Sequence, residues 1–408
     1  MKNERSLNDR TELLYETDSY AESFDAKVLS CSPFENFERF KTAKENEGKN
    51  LYAVELDRTL FFPEGGGQHS DTGKINDSDV TDVFKENGCV YHVVSQPFEN
   101  GVSIHGEINF RQRYRNMQNH SGEHLVCGLI HSIYGYDNVG FHLSNDLITV
   151  DVNGLLGQED FDKIETLANR AVSERREIRA IYPENPDEMD FRSKLELENR
   201  IRVINIDGYD VCACCAPHLK NTAEIGIIKI LDFMKHRNGT RFTLQCGESA
   251  YETLRQIYSQ NREIMNLLSA KREECYEAVK RQYDQIQQYH ENEIALKKEI
   301  TNLYIEKLNN QPVFFTESLD NVQVRNIINE TVKNGQSPVA GFLKQGSGRY
   351  QYIVGKSKDC TVDLKQLSKA LNGAFNGRGG GSDIMVQGSL TADENSISEF
   401  LKQYIPQK

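Results

Sequence analysis

The stretch QNHSGEHLVCGLIH, residues 118–131, decides how the middle of this chain is read. It reads as helix, within a predicted helix over 117–134. A helix turns once in about 3.6 residues, so His120 and His124 stand one above the other and can reach a single ion without distorting the backbone. A second stretch, CACCAPHLKNTAEIG (residues 212–226), ends a cysteine cluster on His218. Zinc favours nitrogen and sulfur ligands at ~2.0–2.3 Å in a tetrahedron. His120, His124, His218 and a thiolate would supply that set. Cys214 is the favoured thiolate, with Cys212 and Cys215 competing, because a loop ligand is not fixed by helical period. The plainer alternative is a packed histidine pair beside buried thiols.

Working outward, residues 25–110 read as β-rich: AKVLSC, NLYAVELDRTLFF, CVYHVVS and VSIHGEINF are short β-branched or aromatic runs between Gly, Asn and Asp turns. Residues 111–249 mix types, with helices at 117–134 and 158–176 and strands DLITVDV, IRVINID, IGIIKILDF and RFTLQC, the pattern of an α+β domain with an antiparallel sheet. Between Pro217 and Pro312 there is no proline, and between Gly247 and Gly335 no glycine. Ile257, Ile264, Leu268, Cys275, Val279 and Ile286 follow alternating steps of seven and four, resumed by Leu296, Ile300 and Leu303. Such steps make a narrow apolar seam, predicting a helical hairpin or a coiled coil as the linker over 250–310. It serves either as a spacer packed on its own chain or as a dimer interface. Residues 311–408 read as a small α/β module ending in NGRGGGSDIMVQGSL and a last helix.

Composition narrows the classes. A chain of 408 residues is too long for one ordinary core. No apolar run approaches the ~20 residues of a membrane span, and the polar start lacks a signal-peptide core. A cytoplasmic protein with reduced cysteines is expected; nine cysteines at irregular spacing argue against a disulfide framework. The net charge of −13 argues against extensive phosphate binding, leaving only a local basic surface. The motif H-x-x-E-H at 120–124 also fits the inverted zinc-peptidase signature, for which Glu198 would be the third ligand.

Further stretches choose between these. LDRTLFFPEGGGQHSDTG (56–73) resembles the glycine-rich segment of the editing domain of alanyl-tRNA synthetases and their free-standing relatives, the AlaX alanyl-tRNA editing proteins. NHSGEHL resembles that family's H-x-x-x-H helix. CCAPHLKNTAEIG resembles its C-G-G-T-H-x-x-x-T-x-E-I-G segment, with His218, Thr222, Glu224, Ile225 and Gly226 in register. GTRFTLQCGESA resembles the strand that follows, and NGRGGGSDIMVQGSL the glycine-rich end of a DHHA1-type C-terminal domain. The matches fall in family order from about residue 25 to the end. Departures are Cys215 and Ala216 for two glycines, Pro217 for a threonine, and Glu123 where a small residue is usual. No DHH motif is present, and no aminoacylation domain is read before residue 25, so charging of tRNA is not expected.

The resemblance implies an α+β protein of the long AlaX form: an N-terminal extension (1–24), a β-barrel-like subdomain (25–110), a zinc-binding editing domain (111–249), the helical linker and a DHHA1-like domain. It implies zinc-dependent hydrolysis of the ester in alanine tRNA mischarged with serine, and possible action on the glycyl ester. Zinc would either activate water or anchor the substrate. Ligands would be His120, His124, Cys214 and His218. Glu123 would orient or deprotonate water, or serve only to hold a histidine tautomer. Gln68 and the turn Gly65, Gly66, Gly67 would contact substrate, and the Thr59 hydroxyl would select serine over alanine. Arg111 and Arg115 would meet phosphates near the acceptor end, unless the alternating arginines are merely the outer side of a strand. Thr222 and Arg378 complete the expected substrate contacts. A homodimer through the linker and last domain is expected, with a zinc peptidase or a non-catalytic tRNA-binding protein as alternatives.

Overall fold

The structure, a computed structural model, describes residues 11–42, 50–144, 147–193, 201–308 and 311–405. It is α+β and divides into two compact units, Met1–Arg262 and Glu263–Lys408.

The first unit begins with six strands: β1 (Ser23–Pro33), β2 (Tyr52–Leu56), β3 (Gly73–Ile75), β4 (Ser78–Glu86), β5 (Cys89–Val94) and β6 (Ser103–Ile108). They close into an antiparallel barrel in the order β1-β2-β5-β4-β3-β6. Period-two alternation builds it: Phe24, Ala26 and Val28 of β1 and Ile104 and Ile108 of β6 point inward to meet Val54, Leu56, Phe61 and Val83. Residues 11–24, read from sequence as an extension, belong to this body. Glu12–Leu13 pairs in parallel with Arg58–Thr59, and Tyr15 packs on Phe62 and Ala216.

Helix α1 (Phe110–Tyr134) leaves the barrel. Asn109 caps its start by accepting from the Gln112 amide, and Gly135, at φ 69°, ends it in the left-handed region. Every residue from Asn116 to Ile130 is buried, so this is a helix enclosed on all sides. It begins seven residues earlier than the sequence suggested, which corrects the strand alternative for the arginine run. On a helix, Arg111 and Arg115 share one face while Arg113 turns away. Arg113 is fully buried against Asp71 and donates to the Leu60 carbonyl at 2.6 Å.

Around α1 lie β7 (Asn138–Ser144), β8 (Leu147–Val152), α2 (Gln158–Glu174), β9 (Ile178–Ile181), β10 (Val203–Ile206), β11 (Asp210–Ala213), β12 (Ile228–His236) and β13 (Gly239–Cys246). They form two antiparallel sheets rather than one, β12-β13-β8-β7 and β9-β10-β11. Together with α1 and α2 they enclose a core around Val126, Ile130, Val150, Phe161 and Phe242.

The glycine-free stretch folds as two helices, α3 (Gly247–Leu268) and α4 (Cys275–Lys307), because Ser269 adopts a left-handed φ of 52° between them. In the second unit, β14 (Val313–Thr316), α5 (Asn321–Lys333), β15 (Val339–Lys344), β16 (Arg349–Gly355), α6 (Leu364–Ala374), β17 (Arg378–Gly381), β18 (Met385–Thr391) and α7 (Glu394–Leu401) follow. Their sheet runs β14-β15-β16-β18-β17, parallel only at β14-β15. The glycine-rich turn expected near the end is partly an edge strand, β17. Among the described residues no helix is long and apolar enough to cross a membrane.

Candidate metal centre

His120 and His124 project from the buried middle of α1 toward the loop after β11, which carries Cys214 and His218. One donor atom from each of these four lies within 4.8 Å of the other three. The Cys214 Sγ stands 3.6 Å from His120 Nε2 and 3.4 Å from His218 Nε2. Bond lengths of ~2.05 and ~2.3 Å at a tetrahedral angle place nitrogen and sulfur donors about 3.5 Å apart. The three-nitrogen, one-sulfur set therefore fits zinc. Among the described residues it is completed by Cys214 and His218; Glu198 lies outside them. Cys215 is exposed and takes no place in the set, and Cys212 falls in a separate buried group with His124 and Asp210.

Each imidazole has a partner on its other nitrogen. His120 Nδ1 meets Gln68 Oε1 at 2.8 Å, His218 Nδ1 meets Ser121 Oγ at 3.0 Å, and His124 Nδ1 meets Asp210 Oδ2 at 3.1 Å. These contacts leave all three Nε2 atoms for an ion. Burial alone would raise the Asp210 carboxyl; hydrogen bonds from His124 and Arg192 outweigh it and hold the group below its ordinary value. Burial, helped by Cys215, pushes the Cys214 thiol up to about 12, so an ion would have to displace its proton.

The glycine turn docks on this centre. Gly66 and Gly67 have φ of 59° and 81°, and Gly67 N–H aside, its carbonyl accepts from Leu143 N at 2.8 Å. A Cβ on Gly67 would sit 2.5 Å from the Phe141 carbonyl oxygen, and the Phe141 ring stacks on His120 with centroids 4.8 Å apart. Gln68 is wholly buried, and its Nε2 has no hydrogen-bond partner among the described residues.

Two family descriptions match the chain: "Threonyl and Alanyl tRNA synthetase second additional domain" over residues 201–258, and "tRNA synthetases class II (A)" over residues 1–112. The alanyl-tRNA editing protein AlaX-L of Pyrococcus horikoshii is 26% identical over 95% of this chain and 96% of its own length. Along nearly its whole length the chain is similar to an alanyl-tRNA editing protein. Alanyl-tRNA editing protein Aarsd1-A of Xenopus laevis is 28% identical, with 71% of each chain covered. An alanine–tRNA ligase of Ignicoccus hospitalis is 28% identical over 96% of this chain but only 42% of the ligase.

The loop that carries Cys214 and His218, with Cys215, Ala216 and Pro217 between them, is held from outside. Arg202 donates to the carbonyls of Cys214 and Ala216 at 3.0 and 2.8 Å, and Ser19 Oγ to that of His218 at 2.9 Å. Asp210, Ser121, Arg202 and Phe141 were not singled out from sequence; no local spacing ties them to the histidines.

Other expected site residues are placed differently. Glu123 is buried and accepts from Asn138 Nδ2, outside the four-donor set and about 100° around α1 from His124. Thr59 is buried in the barrel. His92 Nδ1 lies 3.0 Å from the Val54 carbonyl, which can only accept, so Nδ1 carries the proton and Nε2 accepts from the Thr59 hydroxyl at 2.8 Å. Phe61 N donates to the same hydroxyl at 3.0 Å. Thr222 is also internal: its hydroxyl donates to Ala171 O and accepts from Arg176 N, both at 2.8 Å. Arg111 and Arg115 pair with Glu248 and Glu252 at the start of α3, so that basic face is neutralised. Arg378 is exposed at the start of β17 in the second unit. Two surface cavities of the first unit, of about 380 and 560 Å³, include none of the four ligands in their linings.

Proposed function

We propose that this protein removes wrongly attached serine from alanine tRNA by zinc-dependent hydrolysis of the aminoacyl ester, acting on tRNA charged elsewhere in the cytoplasm. The four-donor set at sulfur–nitrogen spacings matching zinc carries the reading, and the names of the relatives supply the substrate class. His120, His124, Cys214 and His218 would hold the ion, whose chemistry when bound is Lewis acidity and a fixed positive charge beside the ester.

The chain's own groups do the positioning. Gln68 holds the His120 ring with its carbonyl and keeps its amide N–H groups for a substrate or water oxygen. Gly66 and Gly67, both at positive φ, let the backbone come close enough for that amide to reach the centre. The Thr59 oxygen donates to His92 and accepts from Phe61 N, which leaves one acceptor lone pair. A serine hydroxyl could donate to it; an alanine methyl could not. Thr59→Val should then lose preference for seryl over alanyl ester, and Thr59→Ser should keep it. Contact with tRNA would fall to Arg378 and neighbouring cations of the second unit, and to Arg111 and Arg115 once their carboxylate partners yield.

The deciding experiment is single-turnover deacylation of seryl-, glycyl- and alanyl-charged alanine tRNA, with and without chelator. Seryl ester should be cleaved and alanyl ester spared, with loss on zinc removal and return on adding it back. Glu123→Gln should stay within about threefold of the native rate with zinc retained, because Asn138 can still donate to the amide oxygen.

One observation favours a second reading, a structural zinc in a tRNA-binding protein: four protein donors fill a tetrahedral ion's shell. That reading requires a zinc-loaded protein that binds charged tRNA and leaves every ester intact.

A further inference from the structure

We infer that Asp210 is a positioning residue for the metal, acting through His124, and that Arg192 anchors it; this rests on the reading of His120, His124, Cys214 and His218 as the ion's ligands. The three histidines differ in what meets their Nδ1. His120 has an amide oxygen and His218 a hydroxyl, while His124 has a carboxylate. A carboxylate that only accepts fixes the proton on Nδ1, turns the Nε2 lone pair toward the centre and makes that imidazole the most basic of the three.

Asp210 is itself fixed. Arg192 grips it from both guanidinium edges, Nε to Oδ1 at 2.7 Å and Nη2 to Oδ2 at 2.9 Å. The Arg192 backbone is pinned to the strand carrying Asp210, with its N–H on Val211 O and its carbonyl on Ala213 N, both at 2.8 Å. The Asp210 and His124 side chains are each 1% exposed, so neither has water as an alternative partner. Arg192 has a second effect. His124, Asp210 and Cys212 form their own buried group with donor atoms within 4.8 Å. The guanidinium already supplies the positive charge there, so Asp210 stays a partner of the histidine instead of becoming a ligand of a second ion.

The test uses the full chain and two measurements, metal affinity by chelator competition with the Co(II) absorption spectrum, and thermal stability without metal. The native protein should take up one ion; if it takes up none, the ligand assignment fails before this inference is reached. Asp210→Asn should lower affinity 10–100-fold and change the Co(II) spectrum. Because it strands a buried guanidinium, it should also destabilise the fold. The double variant Asp210→Asn/Arg192→Met removes the stranded charge and should recover melting temperature while affinity stays 10–100-fold low. Native loading with Asp210→Asn binding as tightly and with the native spectrum would overturn the inference. So would a double variant whose affinity returns together with its stability, since the pair would then be structural only.

Discussion

At Gly67 the backbone meets two demands at once, a φ of 81° and an approach that would put a Cβ 2.5 Å from the Phe141 carbonyl. Gly65, two residues earlier, meets neither; its Cβ would have Pro63 O at 3.7 Å as nearest neighbour. Gly67→Ala should therefore cost about 1–3 kcal/mol and push Phe141 off His120, whereas Gly65→Ala should stay within about 0.5 kcal/mol in a denaturant titration. His92 gives the pH prediction. Its burial lowers its pKa from 6.5 to about 4, while the unfolded chain keeps the ordinary value. Between these values the unfolded state binds more protons, so the contribution is whole above pH 6.5 and is lost as pH falls toward 4. The loss should reach about 2–3 kcal/mol at pH 4.5. Comparing unfolding midpoints at pH 7 and 4.5, His92→Gln should fall less steeply than the native chain.

The arginines of α1 separate element from residue. Arg111, Arg113 and Arg115 alternate in sequence, but the helix sends the middle one inward to Asp71 and leaves the outer two on α3. Arg113→Met should destabilise by about 3–5 kcal/mol, since it leaves a buried carboxylate unpaired. Arg111→Ala should change stability by less than about 1 kcal/mol, because its pair is exposed to solvent. An inert Arg113→Met in thermal unfolding would contradict the assigned register. The same region explains what the sequence disclosed. His120 and His124 were legible because helical period alone stacks them, and the barrel strands β1, β2, β5 and β6 because β-branched or aromatic runs between turn residues mark them. The start of α1 was not legible, since spacing by twos suits either a strand or the two faces of a helix. Asp210, Ser121 and Arg192 were silent because strand pairing and loop closure bring them to the histidines, and nothing in a linear pattern records that. The position of the step, at Ser269, was equally hidden, as serine carries no breaker signal.

At the scale of the molecule, α4 poses the open physical problem. Val279, Ile286, Leu296, Ile300 and Leu303 stand exposed along it, with Tyr283 and Tyr289 between. Burying a large apolar side chain is worth about 1.5–3 kcal/mol, so this seam gives up on the order of 10 kcal/mol while it faces water. Sequence spacing of seven and four is what a second helix of the same kind would interdigitate with. A second copy of the chain offers that helix, and association through it would also place two metal centres on one assembly. The gross gain has to exceed an association cost of about 4–15 kcal/mol, so the dimer should form at micromolar concentration and dissociate on dilution. Light scattering with size-exclusion chromatography on the full chain should find twice the chain mass at tens of micromolar. Ile286→Lys/Leu296→Lys should give a monomer with unchanged zinc content. A native chain that stays monomeric at those concentrations, or a double variant that stays dimeric, would remove α4 as the interface.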